Sequence, residues 1–440
     1  MSYVIKEVLE FIKENDVKFI RLAFCDLFGM QKNISIMPDE LERAFTEGIS
    51  FDASAINGFS DVSKSDLLLF PDPNTLNVLP WRPQQGRVVR FFCNIKTPDK
   101  ENFICDSREI LKKVIKKCLV IGYEAQIGTE CEFYLFKTDE EGDPTFNTHD
   151  KGGYFDISPI DKGENIRREI CLCLEEMGIK PESSHHEQGP GQNEIDFKYS
   201  DALTAADNFL TFKSVVKAMA ARNGLFASFM PKPISDKSGN GLHINLSLLK
   251  NGLNIFKNKD INDKYSKEVE SFIAGILSKI KEITVFLNPI INSYDRFGKF
   301  EAPKYISWSR QNRSQLIRIP AATGDKTRME LRSPDSAINP YLAFALILSA
   351  GIYGIENKLN LPEPVNENLY CASSEILDSM DKLPENLEEA LNIAKNSEFI
   401  KSVLGEELVN KYIQVKELEV IEYNNSVNKE NIIRRYFECV

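Results

Sequence analysis

Glu182–Phe197, ESSHHEQGPGQNEIDF, is the stretch on which the reading of the chain turns. Glu187 and Glu194 flank Gly189-Pro190-Gly191, and no helix runs through that tripeptide, so the segment folds back on itself. The result is either a polar surface hairpin or a device that brings both carboxylates to one point. Upstream, Tyr123–Phe136, YEAQIGTECEFYLF, reads as a long strand on which Glu130 and Glu132 share a face by the two-residue period. Acids inside an apolar strand are costly to bury unless something neutralises them. Either both face water while Cys131 and Phe133 face the core, or both face a compensating charge. Downstream, Gly239–Leu248, GNGLHINLSL, is a glycine turn feeding a strand with His243, Asn245 and Ser247 on one face. Glu330 and Arg332 alternate on a further short strand, MELR.

Together Glu130, Glu132, Glu187, Glu194, Glu330 and His243 form a hard, oxygen-rich set that suits Mg²⁺ or Mn²⁺ rather than a soft metal. So many negative charges share a pocket only if divalent cations compensate them, and two such ions would come close. Arg296, Arg310, Arg313, Arg318, Arg328 and Arg332 lie in one short region. Some of these belong to solvated surface; the others suit phosphate and carboxylate oxygens. Metals plus an arginine clamp describe phosphoryl transfer, in which charge stabilisation dominates. The chain has no G-x-x-x-x-G-K-[ST] and no G-x-G-x-x-G after a strand, which excludes a P-loop or Rossmann turn. The residues alone therefore reach a two-metal enzyme acting on a phosphorylated, acidic substrate.

The remainder is ordinary globular sequence: 440 residues, 42% hydrophobic and 27% charged, enough for more than one domain. A net charge of -11 argues against a nucleic-acid or anionic-membrane partner. Nine scattered cysteines without a C-x-x-C pair suggest a reduced, cytoplasmic protein. MSYVIKEVLEFIKEN has no apolar signal core. Tyr341–Ile355 is too short and too glycine-interrupted for a membrane span, and is expected as a buried helix after Asn339-Pro340.

In order, the pattern predicts a helix over Tyr3–Asn15, strands over Phe19–Asp26 and Gln31–Ile36, and a short helix over Asp39–Glu47. A small-residue loop, Phe51–Phe59, carries Asp52. Pro71, Pro73, Pro80 and Pro83 then break regular structure before a strand at Arg87–Ile95. Thr97–Asp106 is a polar linker. The expected division is 1–100, a small α+β unit, and 101–440, an α+β catalytic domain on a mostly antiparallel curved sheet with a helical tail.

At these residues the chain resembles the type I glutamine synthetases, in the shorter form of Gram-positive bacteria and archaea. FDASAINGF is similar to the family's aspartate loop, GTECEFYLF to its E-x-E strand and HHEQGPGQNEIDFKY to its second metal segment. MPKP followed by GNGLHINLSL, NSYDR with EAPKYISWSRQNRSQLIRIP, and TRMELRSPD complete the set in order. The resemblance implies an N-terminal β-grasp-like domain, and a dodecamer of two stacked hexameric rings with active sites between subunits. It implies ligation of ammonium to L-glutamate with ATP, through γ-glutamyl phosphate, with two or more Mg²⁺ or Mn²⁺ per site. Glu132, Glu187 and Glu194 match ligands of one metal, on the glutamate side. Glu130, His243 and Glu330 match ligands of the other, on the ATP side. Arg313 and Arg318 match phosphate contacts, Arg296 and Arg332 contacts to glutamate carboxylates, and Gly239 a position near the amino-acid backbone. Tyr199, Ser247 and Arg328 match positions near the nucleoside, as does Asn245. Asp52 of a neighbouring subunit matches the residue that binds and helps deprotonate ammonium, and Glu301 the acid of the closing flap.

The chain departs from the family pattern in places. Ala53 and Ala55 replace Gly and Ser of F-D-G-S-S, RFGKFE is one residue shorter than R-L-V-P-G-Y-E, and Ser238 stands where Asn is common. Asn245 replaces a usual second His. Asp61 occupies the place of an arginine in relatives under glutamine feedback. Tyr370 matches a tyrosine that longer relatives adenylylate, within a different and shorter segment. Two other readings follow from these changes: a γ-glutamyl ligase for an organic amine, and a catalytically silent regulatory homologue. Some relatives bind nitrogen-regulatory proteins as well as catalyse, which adds such a protein to the expected partners.

Overall fold

Helix Tyr3–Glu14 opens the structure, a computed structural model that describes residues 3–82, 84–257 and 265–440. Pro83, one of the prolines expected to break regular structure, lies outside the described residues. Strand Val17–Cys25 pairs antiparallel with Gln31–Ile36 and parallel with Arg87–Lys96. Arg87–Lys96 in turn pairs with Asp66–Pro71, which pairs with Ile49–Asp52. This mixed sheet is a β-grasp arrangement. Its core is filled by the inward residues of the central pair, Ile20, Leu22, Val89 and Phe91, all fully buried.

An eleven-stranded sheet follows and curls into a half-barrel flanked by helices. Its spine is Tyr123–Thr138. Leu242–Lys250 lies antiparallel on one side of it and Gln192–Phe197 on the other. Pro181–His186 completes the Gly-Pro-Gly hairpin by pairing with Gln192–Phe197. Beyond Leu242–Lys250 come Met329–Leu331, Ile317–Ile319 and Trp308–Arg310, the last two parallel to each other. The spine has two faces, as its alternation requires. Cys131 and Phe133 are fully buried, and Phe133 meets Phe212 and Phe229 of the packing behind the sheet. Glu130 and Glu132 face the opposite way, toward the cavity described below.

The two sheets are tied at the helix Ser107–Val120, which Asp106 caps by accepting from the Arg108 and Glu109 amides. Arg108, 3% exposed, reaches Asp72 at 3.0 Å and Asp207 at 2.8 Å. Tyr341 donates to the same Asp207 at 2.6 Å. Tyr341 belongs to helix Pro340–Glu356, capped by Asn339 and buried almost throughout. The glycines of this helix have a packing purpose. A Cβ on Gly354 would lie 2.0 Å from the Ser271 carbonyl, and one on Gly275 would lie 2.2 Å from the Ala350 carbonyl. Helix Lys267–Leu287 thus crosses it with the two backbones in contact. Among the described residues no helix is long and apolar enough to cross a membrane. The tail forms helices from Ser374 to Cys439, and Phe437 returns to pack on Phe136 at the far end of the spine.

Candidate active site

Sheet register assembles the acids. Glu194 sits directly opposite Glu132, and Asp196 opposite Glu130, across one edge of the spine. Across the other edge His243 is opposite Glu130 and Asn245 opposite Gly128. Glu330 is opposite Asn245, and Arg318 opposite Glu330. Directly opposed residues project from the same face of a sheet, so strands distant in sequence place these side chains in one array. A cavity of about 390 Å³ opens there. It is lined by Glu130, Glu132, Glu187, Glu194 and His243, by Gly239, and by Arg296, Arg313, Arg332 and Glu301.

The carboxylates are held differently. Glu130 accepts from Asn245 Nδ2 at 2.9 Å and lies 3.3 Å from His243 Nδ1. Burial opposes its ionisation, yet these hydrogen bonds hold its carboxyl down at about 2. Glu187 is pushed up to about 7, by burial first and then by the charge of Glu132. Glu194 is raised well above its ordinary value, by burial and then by Asp196, Glu132, Glu130 and Glu187. Glu330 is fully buried, with Arg318 at 2.6 Å, Arg332 at 3.2 Å and His243 Nδ1 at 3.5 Å. The three ligand atoms of Glu130, His243 and Glu330 lie within 4.8 Å of one another. This donor set fits divalent cations. Oxygen donors predominate with one imidazole, and the crowded Glu187 and Glu194 resist ionisation until a positive charge relieves them.

The arginines fit anions. Arg296 and Arg332 are 3% and 1% exposed. Arg296 donates from Nη1 to the Ser333 and Pro334 carbonyls, while its buried Nε has no hydrogen-bond partner among the described residues. Arg332 donates to the Glu301 carbonyl at 3.1 Å and to the Arg313 carbonyl. It thereby fastens the loop that carries Glu301. Phe300 and Glu301 both hold positive φ, 46° and 64°, which non-glycine residues rarely adopt. The short RFGKFE loop is sharply turned at the cavity rim.

Other expected residues stand outside the cavity. Asn245 bridges, accepting from Arg328 Nε at 2.8 Å while donating to Glu130. It continues the acid array along the sheet toward Ser247, opposite Gln126, and toward exposed Tyr199, which lies over Gly128. Asp52 is exposed at the end of an N-terminal strand, where it accepts from the Ser54 amide and hydroxyl. It does not reach the cavity of its own chain.

Sequence reading did not single out four residues that the structure places here. Asp196 repeats the two-residue spacing of Glu130 and Glu132, a signal available in EID. His185 lies 3.9 Å from Glu187 and 3.8 Å from Glu194, edge-on to Tyr154 and Phe155. Tyr154 lines the cavity. Gln192 is fully buried among the acids. Behind them His186 and Asp150 pair at 2.9 Å, and Arg167 pairs with Asp161 at 2.6 Å.

A β-grasp sheet joined to a half-barrel whose concave array is acidic at its centre and arginine-rich at one end defines a narrow class. The family model for the glutamine synthetase catalytic domain matches residues 104–436, and that for the glutamine synthetase β-grasp domain matches residues 16–98. The chain belongs to the glutamine synthetase family. It is 46% identical to a glutamine synthetase of Clostridium saccharobutylicum over 441 residues, covering 99% of this chain and 100% of that protein. A glutamine synthetase of Methanosarcina mazei is 46% identical over 432 residues, covering 98% and 97%. Among solved structures, a GmaS complex with ADP superposes with a TM-score of 0.87 at 28% identity, covering 97% of this chain and 98% of that one. A Plasmodium falciparum glutamine synthetase gives 0.86 at 28% identity, covering 98% of both chains.

Proposed function

We propose that the chain ligates ammonia to L-glutamate with ATP, giving L-glutamine through γ-glutamyl phosphate. What supports this reading is the sheet register that sets Glu130, Glu132, Glu194 and His243 on one face, beside a cavity that Glu187, Arg296, Arg313 and Arg332 also line and with Glu330 within reach of His243, in a chain of this family. Glu132, Glu187 and Glu194 would hold one divalent cation, Mg²⁺ or Mn²⁺, and Glu130, His243 and Glu330 a second. When bound, such ions supply the positive charge that offsets the acids and the phosphates.

The chain's own groups do the rest. Arg296 and Arg332 fork the carboxylates of glutamate, and Gly239 lies beside its backbone. Arg313 and Arg318 face the phosphoryl group in flight. Asn245, Ser247, Arg328 and Tyr199 flank the nucleoside. A γ-carboxylate oxygen attacks the γ-phosphorus and ADP leaves. The ammonia nitrogen then attacks the acyl carbon and phosphate leaves. Ammonium is no nucleophile until it loses a proton, which Asp52 from a neighbouring subunit and Glu301 would take. Closure of the Glu301 loop keeps water from the acyl phosphate.

This reading makes the protein a cytoplasmic dodecamer of two hexameric rings, divided near residue 100, with a nitrogen-regulatory protein as a further partner. Phosphate release with ATP, Mg²⁺ and L-glutamate tests it, with ammonium compared against mono- and polyamines and the product checked by mass. Turnover with ammonium giving glutamine is expected. Turnover only with a larger amine would move the protein to the γ-glutamyl-amine ligases. No turnover in a protein that binds ATP and metal would favour the regulatory reading.

A further inference from the structure

Gln192 immediately follows the Gly-Pro-Gly turn and is fully buried. Its carboxamide uses both ends. Oε1 accepts from the Gly189 amide at 2.9 Å and from the Ser238 hydroxyl. Nε2 donates to Glu132 Oε2 at 3.0 Å and to the Gly239 carbonyl at 3.0 Å, with Asn240 Oδ1 at 3.3 Å. The orientation is determined by its neighbours. Flipping the amide would set an oxygen against three acceptors and an NH₂ against two donors.

Two consequences follow from this geometry. Glu132 Oε2 is held by two donors, Gln192 Nε2 and the Gly241 amide at 2.9 Å. Its Oε1 has no protein donor among the described residues, so one oxygen is fixed and the other is left for the cavity. The same NH₂ that fixes Glu132 also fixes the carbonyl of Gly239, which lines that cavity. Packing around the amide is tight. A Cβ on Gly189 would meet Tyr134 Oη at 1.9 Å and Gln192 Oε1 at 2.8 Å. Ser238 supplies a hydroxyl to this junction from the loop itself.

We infer that Gln192, oriented by Ser238, is a positioning residue that couples the cation-holding carboxylate Glu132 to the Gly239 loop that receives the amino-acid backbone. The inference rests on the ligase reading above for the identity of the amino acid, but not for the coupling. A network of this kind makes glutamate and divalent-cation binding sensitive to one buried amide, and leaves the ATP side, held by Asn245, Arg328 and Glu330, outside its reach.

The test combines calorimetry and kinetics on the full-length chain. Mg²⁺ and L-glutamate binding are titrated on wild type, Ser238→Ala, Ser238→Thr and Gln192→Glu, and KM values are measured for glutamate and ATP. Ser238→Ala removes one neutral hydrogen bond, so its glutamate KM should rise about three- to tenfold with the ATP KM unchanged. Ser238→Thr keeps the hydroxyl and should restore the glutamate KM to within about twofold of wild type. Gln192→Glu sets a carboxylate against Glu132 and should weaken Mg²⁺ binding by tenfold, about 1.4 kcal/mol, or more. Equal rises in the glutamate and ATP KM values, or a fall in kcat with Mg²⁺ affinity unchanged, would overturn the inference. If Gln192→Glu does not fold, Ser238→Ala and its threonine rescue decide. A wild type inactive with ammonium would refute the ligase reading alone. Mg²⁺ and glutamate affinities still decide the coupling, which unchanged values in the variants would overturn and weakened values would support.

Discussion

Replacing Glu330 by glutamine keeps the volume of the side chain and removes one charge. In the structure that charge serves two arginines at once. Arg318 approaches one oxygen to 2.6 Å and Arg332 the other to 3.2 Å, and Glu330 itself is fully buried. Glu330→Gln leaves both guanidiniums facing a neutral amide inside the protein. Removing one partner of a buried pair costs about 3–5 kcal/mol, because the remaining charge stays desolvated. At about 2 °C per kcal/mol, the value for large domains, the unfolding midpoint should fall by roughly 6–10 °C. On the proposed reading, the nucleotide-side cation would lose a direct donor as well. Outer partners of metal ligands alone are worth about 10- to 100-fold in affinity, so the Mg²⁺ requirement should rise at least that much. Thermal unfolding without ligand reads the first effect, and phosphate release titrated with Mg²⁺ reads the second. A variant with a wild-type midpoint and a wild-type Mg²⁺ curve would refute both the countercharge argument and the place of Glu330 in the site.

Asp52→Ala should leave the midpoint unchanged, because among the described residues the exposed carboxylate bonds only Ser54. Its kcat/KM for ammonium should fall by about 10²–10⁴, the worth of a positioned base, and an effect on the ATP KM alone would contradict its role. Lys213 is lowered to about 8 by burial, with its ammonium on the Ser336 carbonyl and over Phe229. Between about pH 8 and 10 the native lysine is neutral while the unfolded one still holds its proton. Wild type should therefore gain stability relative to Lys213→Met by up to about 1.4 kcal/mol per pH unit over that window, as read by denaturant unfolding. A difference independent of pH would refute this. Gly354→Ala gains about 1 kcal/mol of helix propensity but drives a methyl to 2.0 Å from the Ser271 carbonyl. The midpoint should fall by several degrees, and a rise would show that the two helices separate freely.

Local signals carried the secondary structure. Gly189-Pro190-Gly191 ruled out a helix and implied a fold-back, Tyr123–Phe136 read as a strand with Glu130 and Glu132 on one face, and both are present. Asn339-Pro340 marked the start of a buried helix that begins there. Pairing was not legible, because no local pattern says which distant strand lies beside which. Asp196 has the spacing of its neighbours, but its place opposite Glu130 is a matter of register. Gln192 carries no charge and no metal chemistry, so only its partners reveal it. His185 reads as one of a polar pair until the hairpin closes and turns it toward two carboxylates. Asp52 shows the opposite limit: the resemblance assigns it a task that a single chain does not bring within reach of the cavity.

The pleat of the spine strand acts as a ruler. Residues two apart on a strand are separated by about 6.6 Å, fixed by covalent geometry, and Glu130 and Glu132 are such a pair. The separation between these two acids is therefore written into the backbone repeat, and one inserted or deleted residue would throw an acid onto the core face. The surrounding loops have no such constraint. The RFGKFE turn, with Glu301 on it, sits at the cavity rim. On the proposed ligase reading, changes in that rim turn would alter which nucleophile is admitted, while the interval between Glu130 and Glu132 stays unchanged.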